Sequence, residues 1–192
     1  MKKLISMISS LVFAVSANAT LISLEFDQDQ YEVGDVVNAN VVISDIETEF
    51  GFQKLLGSFS MDMSYDESLV AFNQVTFGDK LNGGDAFESM TTSIDSMGSL
   101  FIEEVSFSFD LFSFQDGLPS YTLATVQFTA LADGTGTPSF TNIALANDFG
   151  EAFNTVSSTS APLAIGNVQA IPEPHMLALV LPFMLLLARK RS

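Results

Sequence analysis

The sequence predicts an all-β domain, an antiparallel two-sheet sandwich within residues 20–170, and three observations carry that expectation. Apolar and polar residues alternate with period two in run after run, as strands with one buried and one wet face require. Turn signals rich in Gly, Asn and Asp separate the runs. No stretch shows a sustained apolar stripe at helical spacing.

Composition narrows the function classes. The chain has 192 residues, 47% hydrophobic and 16% charged, with no Cys, no Trp and a single His. That length holds one ordinary domain plus processing segments, and the apolar fraction excludes a disordered chain. Without Cys there is no disulfide scaffold, thiolate metal site or cysteine nucleophile. The one His, His175, lies outside the domain and leaves no imidazole for a Ser-His-Asp arrangement. Among 22 acids in residues 20–170 some pair must face another in any fold, so paired carboxylates do not by themselves signal glycoside hydrolysis. The reading is therefore non-enzymatic, with no catalytic residues.

Net charge is −16, and its distribution is uneven. The middle sets its 22 acids against only Lys54 and Lys80, a net −20, while each end carries +2. A domain so charged repels nucleic acid, whose phosphates need local cations, and gathers counter-cations around it.

At the N-terminus, Lys2 and Lys3 precede an uncharged apolar stretch from Leu4 to Val15, and Ala17-Asn18-Ala19 places small residues at both positions a signal peptidase must admit. This is the pattern of a secretory signal peptide over residues 1–19, with Thr20 first after cleavage.

Strands follow in order. Ile22, Leu24 and Phe26 alternate with Ser23 and Glu25; Val37, Ala39, Val41 and Ile43 form the next set. Phe59, Met61, Met63 and Tyr65 alternate with serines and Asp62. Phe101 to Asp110 alternates throughout, as does Ala124 to Ala130. Phe140–Leu145 and Leu163–Val168 are shorter candidates, and Asp66–Ala71 has room for one helical turn. Turns fall at Val33-Gly34-Asp35, Asn82-Gly83-Gly84, Asp116-Gly117, Asp133-Gly134 and Asn147–Gly150. The 18 Phe, mostly inward on these patterns, supply the core that Trp and Cys do not. A sandwich of about eight or nine strands is the economical arrangement, with a barrel as the other closure.

The C-terminus runs Ile171-Pro172-Glu173-Pro174-His175, then apolar Met176–Ala188, then Arg189-Lys190-Arg191-Ser192. Those 13 apolar residues make only about 20 Å of helix against a hydrocarbon core of about 30 Å. Pro182 removes one backbone donor inside the run, and Pro172 and Pro174 oppose extension upstream. The result is a marginal membrane helix, held by snorkelling cations that stay on the cytoplasmic side.

This order of Pro-Glu-Pro, short apolar segment and basic end over residues 171–192 resembles the PEP-CTERM sorting signal. The resemblance implies a transient inner-membrane intermediate in a Gram-negative bacterium, recognised by an exosortase-like enzyme at Pro172, Glu173 and Pro174. Arg189, Lys190 and Arg191 would be the retention charges, and the cell surface or extracellular matrix the destination.

Three segments of the middle resemble cohesin domains: Tyr31–Ser44 with its Val-Gly-Asp opening, Phe59–Phe72 with an aromatic-Asp turn before a new strand, and Leu123–Leu131 followed by Asp133-Gly134. The resemblance, spanning Leu21–Ala170, implies a jelly-roll-like sandwich of the cohesin and cellulose-binding-module superfamily. It implies a protein-protein interaction module at the surface, with a carbohydrate- or exopolysaccharide-binding module as the alternative.

Ligand chemistry is sparser. No cofactor is expected. Asp27, Asp29, Glu32 and Asp35 offer hard oxygens in one interstrand loop, a calcium candidate that lacks the EF-hand spacing and reads first as a set of solvated acids. With no Trp and only Tyr31, Tyr65 and Tyr121, a flat aromatic platform for cellulose is not expected, and Tyr65 reads as core. Phe112 and Phe114 read as a buried strand, or else as apolar surface for a partner.

Overall fold

Period-two burial organises the structure, a computed structural model that describes residues 19–166. The expected signal peptide (apart from Ala19) and the expected sorting segment 171–192 lie outside the described residues. In chain order the elements are β1 (Thr20–Phe26), β2 (Val36–Ser44), β3 (Thr48–Glu49), β4 (Phe52–Gln53), β5 (Leu56–Ser64), β6 (Val70–Phe77), β7 (Ser89–Ser96), β8 (Ser99–Ser106), α1 (Leu111–Gln115), β9 (Ser120–Ala130), β10 (Gly134–Gly136), β11 (Ser139–Asn147), β12 (Val156–Ser160) and β13 (Leu163–Ile165).

Two sheets form the sandwich, ordered β12-β1-β2-β9-β6 and β11-β5-β8-β7. Ile22 and Leu24 of β1, Val37, Ala39, Val41 and Ile43 of β2, and Val126 and Phe128 of β9 are buried on one inner face. Phe59, Met61 and Met63 of β5 and Leu100 and Ile102 of β8 are buried on the other. One core joins both sets, as two half-wet sheets require. A bulge in β9 skips Leu123 between the pairs Val41↔Ala124 and Val42↔Thr122, so Leu123 and Ala124 are both buried. Two smaller pairs, β3-β4 and β10-β13, decorate the ends.

The all-β sandwich is thus as expected, and the barrel is not formed. Within the two sheets every pairing is antiparallel except β1 with β12, which is parallel. The expected turn at Asp66 is present, with the N–H groups of Leu69 and Val70 donating to the Asp66 carbonyl. Strand β6 takes over at Val70.

Three details depart from the sequence reading. The phenylalanines are not mostly inward: Phe59, Phe128, Phe140 and Phe153 are buried, whereas Phe50, Phe52, Phe87, Phe107, Phe109, Phe112 and Phe149 are exposed. The exposed ones sit in turns, tips and edges and on the outer side of α1, where no second layer covers them among the described residues. Strand β8 ends at Ser106, leaving Phe107 and Phe109 beyond it, and its inward residues are Leu100, Ile102 and Glu104. Finally, Phe112 and Phe114 lie on α1, not on a buried strand. Leu111 and Gln115 are the residues that α1 buries, and Phe112 is left exposed.

Candidate interaction surfaces

The outer face of the sheet β11-β5-β8-β7 is built by register. Across β8, Val105 pairs with Ser58 and Met90, Glu103 with Ser60 and Thr92, and Phe101 with Asp62 and Ile94. Directly paired residues share a face. Since Ile102 and Met61 point into the core, these rows point away from it. Met90 and Ile94 are 52% and 57% exposed, beside partly buried Phe101 and Val105. The face is therefore two-toned: an apolar stripe on β7 and β8, broken at its middle by Glu103 and Thr92, with serines and Asp62 on β5. Asn142, held at φ 52 in the β11 bulge, donates to Asp62 at 2.7 Å and steadies that polar side. Apolar pairs set on either side of a carboxylate, with hydroxyls along one flank, have the mixed chemistry of a protein interface.

Behind this face is a feature the sequence did not single out. Glu104 is fully buried on β8; its Oε1 accepts from Ser89 Oγ at 2.7 Å and lies 3.5 Å from Asn82 Nδ2, while Oε2 has no partner among the described residues. Burial pushes its carboxyl up to about 7, against the two hydrogen bonds that lower it. The only sequence signal was its phase with Leu100 and Ile102.

A second surface lies at the end of the sandwich where β5 begins. Phe50 sits at the tip of the β3–β4 hairpin, Phe52 on β4, Phe112 on α1 and Phe149 in the turn after β11. All four line one open groove of about 560 Å³. Glu49, Asp116, Asp148 and Glu151 line it too. Lys54, its cation, is engaged with Glu47 at 3.1 Å and lies 5.7 Å from the centre of the Phe153 ring. Burial works to raise the Glu47 carboxyl, and hydrogen bonds from the Asn154 N–H groups and the Lys54 ammonium together outweigh it, leaving it below its ordinary value.

At the opposite end, a groove of about 690 Å³ is lined by Tyr65, Glu67, Ser68, Met97, Thr137 and Leu163, among others. Tyr65, read as core, is only partly buried: its ring packs against the core 5.0 Å centre to centre from Phe128, while its hydroxyl donates to Asp95 at the exposed edge. Burial first, then Asp95, raises its phenol.

The acids of the calcium candidate do not gather. Asp27 accepts from Tyr31 Oη at 2.5 Å and from Asn38 Nδ2 at 2.8 Å, and Asp35 accepts from the Glu32 N–H at 2.8 Å. Among the described residues no group of three His, Cys, Asp or Glu is placed to hold a metal ion. Burial works to raise Asp27, and the bonds from Tyr31 and Asn38 outweigh it, leaving the carboxyl below its ordinary value.

Of the processing residues, Ala17, Pro172, Glu173, Pro174, Arg189, Lys190 and Arg191 lie outside the described residues. Ala19 is described, and β1 begins immediately after it, the Thr20 N–H donating to Thr155 O at 3.0 Å. Among the described residues no helix is long and apolar enough to cross a membrane; the segment expected to do so lies outside them.

No protein-family model and no curated protein matches the chain. Solved structures do. A type II cohesin from an Acetivibrio cellulolyticus cohesin–X–dockerin complex aligns at TM-score 0.62 and 17% identity, over 77% of this chain and 99% of that one. Type II cohesin A11 of Bacteroides cellulosolvens aligns at TM-score 0.62 and 12% identity, over 76% and 99%. A non-cellulosomal cohesin of the archaeon Archaeoglobus fulgidus aligns at 0.57 and 12%, over 79% and 94%. At such identities the likeness is one of architecture: the described chain has the cohesin jelly-roll sandwich.

Proposed function

We propose that the chain is an exported, non-catalytic cell-surface or extracellular-matrix protein whose cohesin-like sandwich mediates protein-protein interaction. The observation that carries this reading is the outer face of β11-β5-β8-β7, uncovered among the described residues, where the apolar pairs Met90–Val105 and Ile94–Phe101 flank Glu103 and Thr92. One similar cohesin is known from a complex with a dockerin, which supports a folded protein as the ligand class. The fold itself assigns no activity. Delivery follows the two ends: a signal peptidase cutting after Ala19, then an exosortase-like enzyme acting at Pro172-Glu173-Pro174 with Arg189, Lys190 and Arg191 as the stop.

The test separates ligand from address. The chain immobilised on resin is expected to retain a discrete folded protein from polysaccharide-free extracellular extract of the native cells, and the Ile94→Arg variant to lose it. Retention of the chain only on the cells' purified polysaccharide, unaffected by that variant and with no protein captured from the extract, would favour the alternative, for which the Tyr65 groove is the available site. Replacing Pro172-Glu173-Pro174 with alanines should leave the C-terminus uncut by mass spectrometry; unchanged processing refutes the sorting step.

A further inference from the structure

Four phenylalanines converge on the groove at the β5 end from three separately built segments. The β3–β4 hairpin turns through Phe50 and Gly51 at φ 51 and 87, the doubly left-handed turn that matches strand twist. Position one of that turn favours Asn or Gly, yet it holds a phenylalanine that is 94% exposed. Lys54 ties the hairpin down, its N–H donating to Glu47 O at 2.8 Å and its ammonium to the Glu47 carboxylate. Asn147 organises the facing turn, its Oδ1 accepting from the N–H groups of Phe149 and Glu151 at 3.0 and 2.8 Å. Phe149 is thereby presented 83% exposed. Helix α1 turns Phe112 to the same groove while Gln115 anchors the other side of the helix in the core.

Charge decides the occupant. Asp116, Asp148, Glu49 and Glu151 line the groove, while its cation Lys54 is already paired. The sandwich of a second copy would bring another strongly acidic surface, and anionic lipid headgroups would be repelled likewise; the chain's own apolar, basic end at 176–191 is the part that the sorting step proposed above removes. Phenylalanine faces set among carboxylates suit a cation that carries its own apolar neighbours. We propose that this groove is a docking site for a cationic, apolar peptide segment of a partner protein, with Lys or Arg against the rings of Phe50 and Phe149 and apolar residues between Phe52 and Phe112. It is separate from the sheet face and does not rest on that reading.

The test uses the purified full chain and fluorescence anisotropy with three labelled peptides: one alternating leucine and lysine, one serine and lysine, one leucine and glutamate. The leucine–lysine peptide should bind, and the serine–lysine and leucine–glutamate peptides at least about tenfold more weakly. A Phe50→Ser/Phe149→Ser double variant should lose about tenfold in affinity for the leucine–lysine peptide while Ile94→Ser loses none. If the double variant does not fold by circular dichroism, Phe112→Ser takes its place. Equal binding of the serine–lysine peptide, or unchanged affinity in the variant, overturns the proposal by reducing it to bulk electrostatics. It is equally overturned if the same variant abolishes self-association in sedimentation or partitioning onto phosphatidylcholine vesicles.

Discussion

The carboxamide of Gln115 is paired with the backbone of Leu56 as if it were a neighbouring strand: Oε1 accepts the Leu56 N–H at 2.7 Å and Nε2 donates to the Leu56 carbonyl at 2.8 Å. The same amide donates to Lys80 O at 3.0 Å and accepts from Tyr121 Oη at 3.1 Å, so α1, β5, β9 and the loop after β6 meet on one buried side chain. Gln115→Leu would orphan two buried backbone groups and the Tyr121 hydroxyl. The expected loss is about 2–4 kcal/mol of unfolding free energy, measured by denaturant titration. A loss within experimental error would mean that Leu56 finds other partners.

Glu104 makes stability fall as pH rises. Its folded value of about 7 stands above the ordinary 4.5, so the neutral acid is the form the fold prefers. The penalty is absent below the unfolded value, grows between about pH 4.5 and 7, and is complete above, amounting to about 3 kcal/mol by linkage. Glu104→Gln should flatten the stability profile over that window. A Glu104→Gln profile parallel to wild type would contradict the burial of this carboxyl.

Tyr31 and Asp27 act in the opposite sense. The Tyr31 hydroxyl and Asn38 amide stabilise the Asp27 carboxylate, whose depressed value contributes stability above the unfolded value that is lost as pH falls through the folded one. Tyr31→Phe should shift the acid unfolding midpoint upward, with a cost of about 1 kcal/mol at neutral pH. Calcium should leave the melting temperature unchanged in both forms, and a calcium-dependent rise would restore the loop as a site.

Phe50 exchanges stability for exposure. A phenylalanine at φ 51 is strained where Asn is at ease, so Phe50→Asn should raise unfolding free energy by about 0.5–1 kcal/mol. The same variant should weaken leucine–lysine peptide binding. A stability gain without any binding loss would detach the hairpin tip from the groove.

How much of this the residues revealed depends on layer. Central strands β2, β5 and β9 were legible because both neighbours and the opposite sheet enforce alternation, as in Val37, Ala39, Val41 and Ile43. Edge strands β6, β7 and β12 were not, because Ser-Met-Thr-Thr-Ser-Ile-Asp-Ser in β7 has little core to face and reads as loop. The phenylalanines misled for the same reason: hydrophobicity gives a residue a preference for the interior, but turns at Phe50 and Phe149 give it no interior to enter. Gln115 and Glu104 were hidden because a polar residue in the core announces itself only through partners distant in sequence, here Leu56 and Asn82. The open sheet face was likewise invisible until register set Met90 beside Val105 and Ile94 beside Phe101.

Photo-crosslinking tests the central claim most directly. A benzophenone amino acid is placed in the full chain at Ile94, on the apolar stripe, or at Gln127, on the outer side of the other sheet. After irradiation in native extracellular extract freed of polysaccharide, the account predicts one discrete protein adduct from position 94 and none from position 127. Equal labelling from both positions, or no protein adduct from position 94, would contradict it.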